Sequence, residues 1–199
     1  MNYKGIYDKL YSVGYHDKGK NLGQQYVPFL CQRFKFKSVL DVGCANGLSV
    51  KSFQNYRKFS YGIDISEIAI RYATEQYHVR NCIEGNVLNI PFRDRFVDAV
   101  FTCDVLEHLA PHDIRKAIKE IIRVSRKYLF IKVSDTIEHN REFLDKASQK
   151  WEEVFMNIPN LHMTVLSFRE WKEIFQGEFK LKLLHTEEGL WIYESPNKE

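Results

Sequence analysis

From Lys37 onward, short apolar runs alternate with segments of helical character, and few folds accommodate that pattern. "SVLDVG", "FSYGIDI", the weaker "NCIEGNV", "FVDAVFTC" and "KYLFIKV" are strand-like. Runs this apolar suit strands buried on both faces, as in a parallel sheet covered by helices. Between them, "LSVKSFQNY" after Gly47 winds as a helix, and "SEIAIRYATEQY" is an amphipathic helix capped by Ser66. "PHDIRKAIKEIIRVS" places Pro111 in a first turn, where its missing N–H breaks no helical bond. This alternation predicts an α/β fold: a doubly wound, mostly parallel sheet with helices on both faces. The tail "FKLKLLHTEEGLWIYES" holds two β-rich runs joined by Glu-Glu-Gly, a C-terminal antiparallel hairpin.

The flanks are less regular. Residues 1–37 are expected to be helical, with Tyr3, Tyr7, Tyr11 and Tyr15 on one face and a second helix, "QQYVPFLCQRF", after Gly23. A tyrosine ring packs while its hydroxyl stays available, so this face either packs against the body or covers a ligand as a lid. Residues 135–176 are polar and then aromatic, with helices expected at "NREFLDKASQKWEEVF" and at "SFREWKEIF", where Ser167 and Glu170 form a capping box. There is no repeat or linker, so residues 1–199 read as a single domain. A net charge of +3 is too small to imply a nucleic-acid partner. Cys31, Cys44, Cys82 and Cys103 form no CxxC pair and suit a reducing compartment. No apolar segment approaches the ~18 residues of a membrane span, so the expected setting is cytoplasmic, away from membranes.

The turn after the first strand is the chemically informative stretch. A dinucleotide fingerprint, G-x-G-x-x-G, would place glycines where Ala45 and Leu48 stand. What appears is Asp41-x-Gly43-x-x-x-Gly47, with Ala45 between the two glycines. A methyl group is tolerable there wherever the residue keeps a negative φ, since only a positive φ strictly favours glycine.

This pattern resembles motif I of the class I S-adenosylmethionine (SAM) methyltransferases, an acidic residue before a G-x-G-x-G loop. "YGIDIS", "EGNVLNIPF" and "RFVDAVFTCDVLEHL" follow in the family's order, the last resembling its small-molecule branch. The resemblance covers about residues 38–134. It implies a Rossmann-like sheet, SAM as cofactor, S-adenosylhomocysteine (SAH) as product, and a methyl acceptor that is a small molecule rather than nucleic acid. By the same resemblance, Asp41 orients the loop or the cofactor's ammonium, and backbone N–H groups of Gly43, Cys44, Ala45 and Gly47 approach its methionine part. Asp64, followed by Ile65, holds the ribose diol. Asn86, followed by Val87, meets the adenine where the family usually has Asp, and Cys103 touches the same region. Residues 135–176 correspond to the acceptor pocket.

For an acceptor that must lose a proton, neutral imidazole is a suitable base. His108, His112, His139 and His162 are available; His108 stands beside the expected cofactor cleft, and the resemblance puts His162 in the acceptor pocket built after the fifth strand. Asp104, Glu107 and His108 would share one helix face, with His162 as a fourth ligand, in the pattern of certain metal-dependent O-methyltransferases. Metal-free relatives also carry "LEH", where Glu107 and His108 position the helix, so no metal is expected. Two other functions stay open. One is methylation of RNA or protein, for which Arg33, Lys35, Lys37, Lys51, Arg57 and Lys58 would form a basic patch beside the cleft. The other is SAM binding without catalysis. Nothing in the sequence sets the oligomeric state.

Overall fold

The computed structural model describes residues 1–14, 22–134, 161–187 and 189–197. Its strands are β1 (Ser38–Val42), β2 (Phe59–Asp64), β3 (Cys82–Glu84), β4 (Val97–Cys103), β5 (Ser125–Lys132), β6 (Lys182–Glu187) and β7 (Leu190–Glu194). They form one seven-stranded sheet in the order β3-β2-β1-β4-β5-β7-β6. The first five are parallel, and β7 runs antiparallel to both β5 and β6. The predicted doubly wound, Rossmann-like sheet with its terminal hairpin is what forms.

The helices are α1 (Tyr3–Ser12), α2 (Val27–Arg33), α3 (Leu48–Asn55), α4 (Glu67–Glu75), α5 (Pro111–Val124) and α6 (Phe168–Lys172). Each sheet face has its own cluster. On one, α5 buries Ile114, Ala117, Ile118, Ile121 and Val124 against Leu40, Val100, Leu129 and Ile131, joined by Trp171 and Phe175. Fully burying each such isoleucine contributes roughly 1.5–3 kcal/mol. On the other, Val27, Leu30 and Phe53 cover Val39, Phe101, Phe130 and Ile192. Next to this, Val50 and Ala73 pack with Cys44, Val79 and Cys82. Ser66 caps α4 by accepting from Ala69 N–H, and Ser167 and Glu170 form the predicted capping box of α6.

Several local features differ from the sequence reading. The segment after Gly23 starts as a 3-10 turn (Leu22–Tyr26) before α2. "LEH" does not open a helix: Leu106–His108 is a 3-10 turn, and α5 begins only at Pro111. β5 starts at Ser125, directly off α5, and α6 continues into a π-type turn, Glu173–Glu178. Tyr15 and the helix expected within 140–155 lie outside the described residues. Among the described residues no helix is long and apolar enough to cross a membrane.

In register, Val42 pairs with Ile63 on one side and Thr102 on the other, so β1, β2 and β4 end together. Strand order reverses between β1 and β4, the place where ligands collect in such sheets.

Candidate active site

A cleft of about 210 Å³ opens at these strand ends. Its walls include Gly43, Ala45, Asp64, Ile65, Asn86, Val87, Cys103, Asp104 and His108, with Tyr3, Tyr7 and Tyr11 of α1 on its other side. The turn after β1 is a run of left-handed residues: Gly43 has φ +78°, Ala45 +50° and Gly47 +74°. Ala45 therefore does not keep the negative φ at which alanine is freely tolerated. The chain doubles back so tightly that alternate residues take the left-handed conformation, at a cost to alanine of roughly 1–2 kcal/mol.

The turn's amides also differ from expectation. Gly43 and Cys44 N–H donate to Ile63 O, Gly47 N–H donates to Cys44 O, and Ala45 N–H donates to Asp64 Oδ2 at 2.9 Å. The Gly43, Cys44 and Ala45 N–H groups thus hold the turn to β2, and that of Gly47 closes the turn on itself, rather than facing a cofactor. The glycines supply room: a Cβ on Gly43 would lie 2.3 Å from Val105 Cγ2. Cys44 and Gly47 sit behind the cleft wall, as does Asp41, whose carboxyl is pushed well up by burial and by the nearby Asp64 charge.

Asp64 also accepts from Ser66 N–H through Oδ1 at 2.9 Å. Burial raises its carboxyl to about 6, against the pull of the Ser66 and Ala45 hydrogen bonds. It is thus ionised at neutral pH, and a carboxylate accepting two bonds keeps lone pairs for a diol. Asn86 Oδ1 accepts from Leu88 N–H at 2.8 Å, fixing the side chain in a local turn. The Cys103 thiol donates to Asp104 Oδ2 at 3.3 Å and is pushed well up by burial and by Asp104. Ile65 and Val87 add apolar wall. A carboxylate at the end of β2, the small residues Gly43, Ala45 and Gly85, and apolar walls fit a nucleoside with a short charged tail.

Opposite lies α1. Tyr3 Oη donates to Asp113 Oδ2 at 2.7 Å and accepts from Ala110 N–H at 2.8 Å, fastening α1 to the start of α5. Ser66 Oγ donates to Asp8 Oδ1 at 2.7 Å, fastening it to α4. The tyrosine spacing pointed to this face, whereas these long-range partners left no sequence signal. Tyr7 meets the His108 ring edge-on at 6.1 Å.

The sequence-derived histidines separate clearly. His108 lines the cleft, and His162 packs edge-on behind it, with ring centroids 4.7 Å apart. Burial first, and then His162, push His108 down to about 3, so its imidazole is neutral, and Nδ1 is buried without a hydrogen-bond partner. His112 is exposed beside Asp113, and His139 lies outside the described residues.

The four-residue metal cluster does not assemble. Asp104 has φ +54°, so no helix runs through it to put Asp104, Glu107 and His108 on one face. The Asp104 carboxylate is engaged by Lys132 Nζ at 2.7 Å, and Glu107 Oε1 accepts from Ser134 N–H at 2.7 Å. Among the described residues no three acidic, histidine or cysteine side chains converge as ligands. Burial pushes the Asp104 carboxyl up, but Lys132, which the sequence reading missed, together with the Cys103 thiol holds it below the usual carboxylate range.

Sheet order, cleft position and turn define the class. Residues 40–130, 91 of the 199 residues, match the family described as "Methyltransferase domain", and that match speaks for SAM as the cofactor of this core. Relatives narrow it no further. A tRNA (carboxymethyluridine(34)-5-O)-methyltransferase of Arabidopsis thaliana is 32% identical over 97 residues, 48% of this chain and 23% of that protein. A malonyl-[acyl-carrier protein] O-methyltransferase of Pectobacterium atrosepticum is 28% identical over 120 residues, 57% of this chain and 43% of that one. The chain spans less than half the length of these curated relatives. Among solved structures, the methyltransferase bound to the Trm112 activator in Haloferax volcanii superposes with a TM-score of 0.71 at 17% identity, covering 96% of this chain and 97% of that one. The magnesium protoporphyrin IX methyltransferase of Synechocystis PCC 6803 with bound SAH gives 0.60 at 17% identity, covering 97% and 94%. At such identities these structures speak for the shared fold.

Proposed function

We propose that this protein transfers a methyl group from SAM to an oxygen or nitrogen of a small-molecule acceptor. When bound, SAM supplies an activated methyl carbon on a positive sulfur, so the hard chemistry belongs to the cofactor. The chain's residues bind, orient and exclude water. In this reading Asp64 holds the ribose hydroxyls, Asn86 and Val87 border the adenine, and Gly43 and Ala45 leave room beside Cys103. α1 forms the cover, and the part of the 135–176 segment that the structure describes, from residue 161 on, borders the acceptor.

The observation that carries the acceptor assignment is His108, a neutral, half-buried imidazole that lines the same cleft as Gly43 and Ala45. An imidazole pushed to about 3 is a poor store for a proton. It orients an acceptor by accepting its hydrogen, which suits a nucleophile that needs no strong base. His162 backs it.

A second reading, methylation of RNA, draws on the name of the Arabidopsis relative. Against it, Lys37 and Lys58 directly precede β1 and β2 and so lie at the opposite ends of those strands from the cleft, roughly 16 Å away at about 3.3 Å per residue. Lys58 also donates to Phe36 O.

Calorimetry with SAH, followed by a screen of amine, hydroxyl and carboxyl acceptors for SAH release, tests the proposal. Micromolar SAH binding and turnover of one acceptor class are expected, with His108→Gln lowering turnover tenfold or more while SAH affinity changes less than threefold. No SAH binding at millimolar concentration would refute the cofactor site. Turnover of transfer RNA alone would replace the small-molecule reading, and tight binding without transfer to any acceptor would leave a silent binder.

A further inference from the structure

Glu107 is wholly buried in the turn between β4 and α5. Its Oε1 accepts the N–H of Ser134 at 2.7 Å, and its backbone oxygen accepts the N–H of Thr164 at 3.0 Å. Thr164 Oγ1 adds a bond to Leu109 O at 2.6 Å. Ser134 and Thr164 are where the chain leaves toward, and has just returned from, residues 135–160. Two residues before Thr164, His162 packs on His108.

We propose that Glu107 is the positioning residue of the acceptor side of the cleft: it ties both flanks of residues 135–160 to one turn and thereby seats His162 against His108. This rests on the reading of the cleft as a methyl-transfer site. A leucine or methionine would fill the same space without desolvating a carboxyl, so packing alone does not call for glutamate. What the carboxyl adds is an acceptor for Ser134 N–H, just past the end of β5. The second oxygen, Oε2, is buried with no hydrogen-bond partner, which suits a neutral carboxylic acid. Burial and the facing Asp104 charge agree, raising Glu107 to about 8 against the Ser134 hydrogen bond and the Lys132 charge. Among the described residues, Asp104 and Lys132 are the charged groups facing it, with His108 on the same turn.

The test compares the parent with Glu107→Ala and Glu107→Gln, using SAH as the only ligand. Hydrogen exchange is read on peptides covering Ser134 and Leu161–Thr164, and the His108 Cε1 resonance is followed from pH 6 to 9. Glu107→Ala is expected to speed exchange at the Ser134 peptide at least tenfold and at Leu161–Thr164, whose bond to the residue 107 backbone oxygen remains, by less, while SAH affinity stays within threefold. Glu107→Gln, whose amide oxygen still accepts from Ser134, is expected to return exchange to within threefold of the parent. The parent His108 signal should step near pH 8 and the Gln variant's should not. Unchanged exchange in a folded Ala variant, equal acceleration across the central sheet, failure of Gln to restore, or a pH step persisting in Gln would each overturn the proposal. If Ala does not fold, the Gln exchange and pH profiles decide it. Failure of SAH to bind the parent would instead overturn the cofactor reading, and exchange and resonance data would still decide the role of Glu107.

Discussion

The Ala45 N–H donates to the Asp64 carboxylate across 2.9 Å, joining the turn after β1 to the end of β2. That bond holds alanine at φ +50°, a conformation glycine adopts without steric cost. Ala45→Gly should therefore raise stability by up to about 1 kcal/mol, the relief being partly offset by the freer unfolded chain. Urea denaturation measures this, and a loss of stability would argue against strain at Ala45.

At Gly43 the expected effect has the opposite sign. Gly43→Ala meets both the left-handed φ and the Val105 methyl 2.3 Å away, a loss of roughly 3 kcal/mol or more. Adding Val105→Ala should recover the steric part and leave about 1 kcal/mol of backbone penalty. Recovery is read from the denaturation midpoints of the single and double variants.

Asp64 sets a pH dependence. Its folded-state carboxyl lies at about 6, above the 3.8 of an ordinary aspartate, so the fold holds this proton more tightly than the unfolded chain does. The contribution to stability is present at low pH and is lost as pH rises through about 6. Binding a diol has the reverse sign, because the ionised carboxylate is the better acceptor. SAH affinity should fall as pH drops from 7.5 to 5, with a midpoint near 6. Asp64→Asn should weaken SAH on the order of 100-fold and flatten that profile, which calorimetry across pH will test.

Asn86 keeps its Leu88 hydrogen bond if changed to aspartate, and gains a charge facing the cleft. Asn86→Asp should tighten SAH roughly fivefold, the worth of strengthening one hydrogen bond by about 1 kcal/mol. Unchanged affinity would separate this side chain from the adenine.

Tyr3 Oη serves Ala110 N–H and Asp113 together. Tyr3→Phe leaves that N–H unmet at the start of α5 and loosens α1, for a loss of about 1–2 kcal/mol. SAH should then bind several-fold more weakly if α1 covers the cofactor. Equal SAH affinity in the two proteins would make α1 a packing element only.

Much of this architecture was legible in consecutive residues. Apolar runs such as "FVDAVFTC" gave the strands, Ser66 and the Ser167–Glu170 pair gave helix starts, and the four-residue tyrosine spacing gave the face of α1 that meets the cleft. The spacing of Asp41, Gly43 and Gly47 located the turn, and Asp64, Asn86 and Cys103 all reached its cleft. Local patterns suffice for these because strand burial, capping and helix faces depend on neighbours a few residues away.

What only the tertiary structure decided are the choices made between distant residues. The sign of φ at Ala45 follows from its bond to Asp64, and the inward aim of the turn's amides follows from Ile63 O in β2. The helix face imagined for Asp104, Glu107 and His108 is lost because Asp104 turns left-handed beside Lys132. Glu107 reaches Ser134 and Thr164, and Tyr3 reaches Ala110, only because the strand order brings those segments to one end of the sheet. A residue's periodicity tells which way it faces, while its hydrogen-bond partner is set by which strand lies beside it.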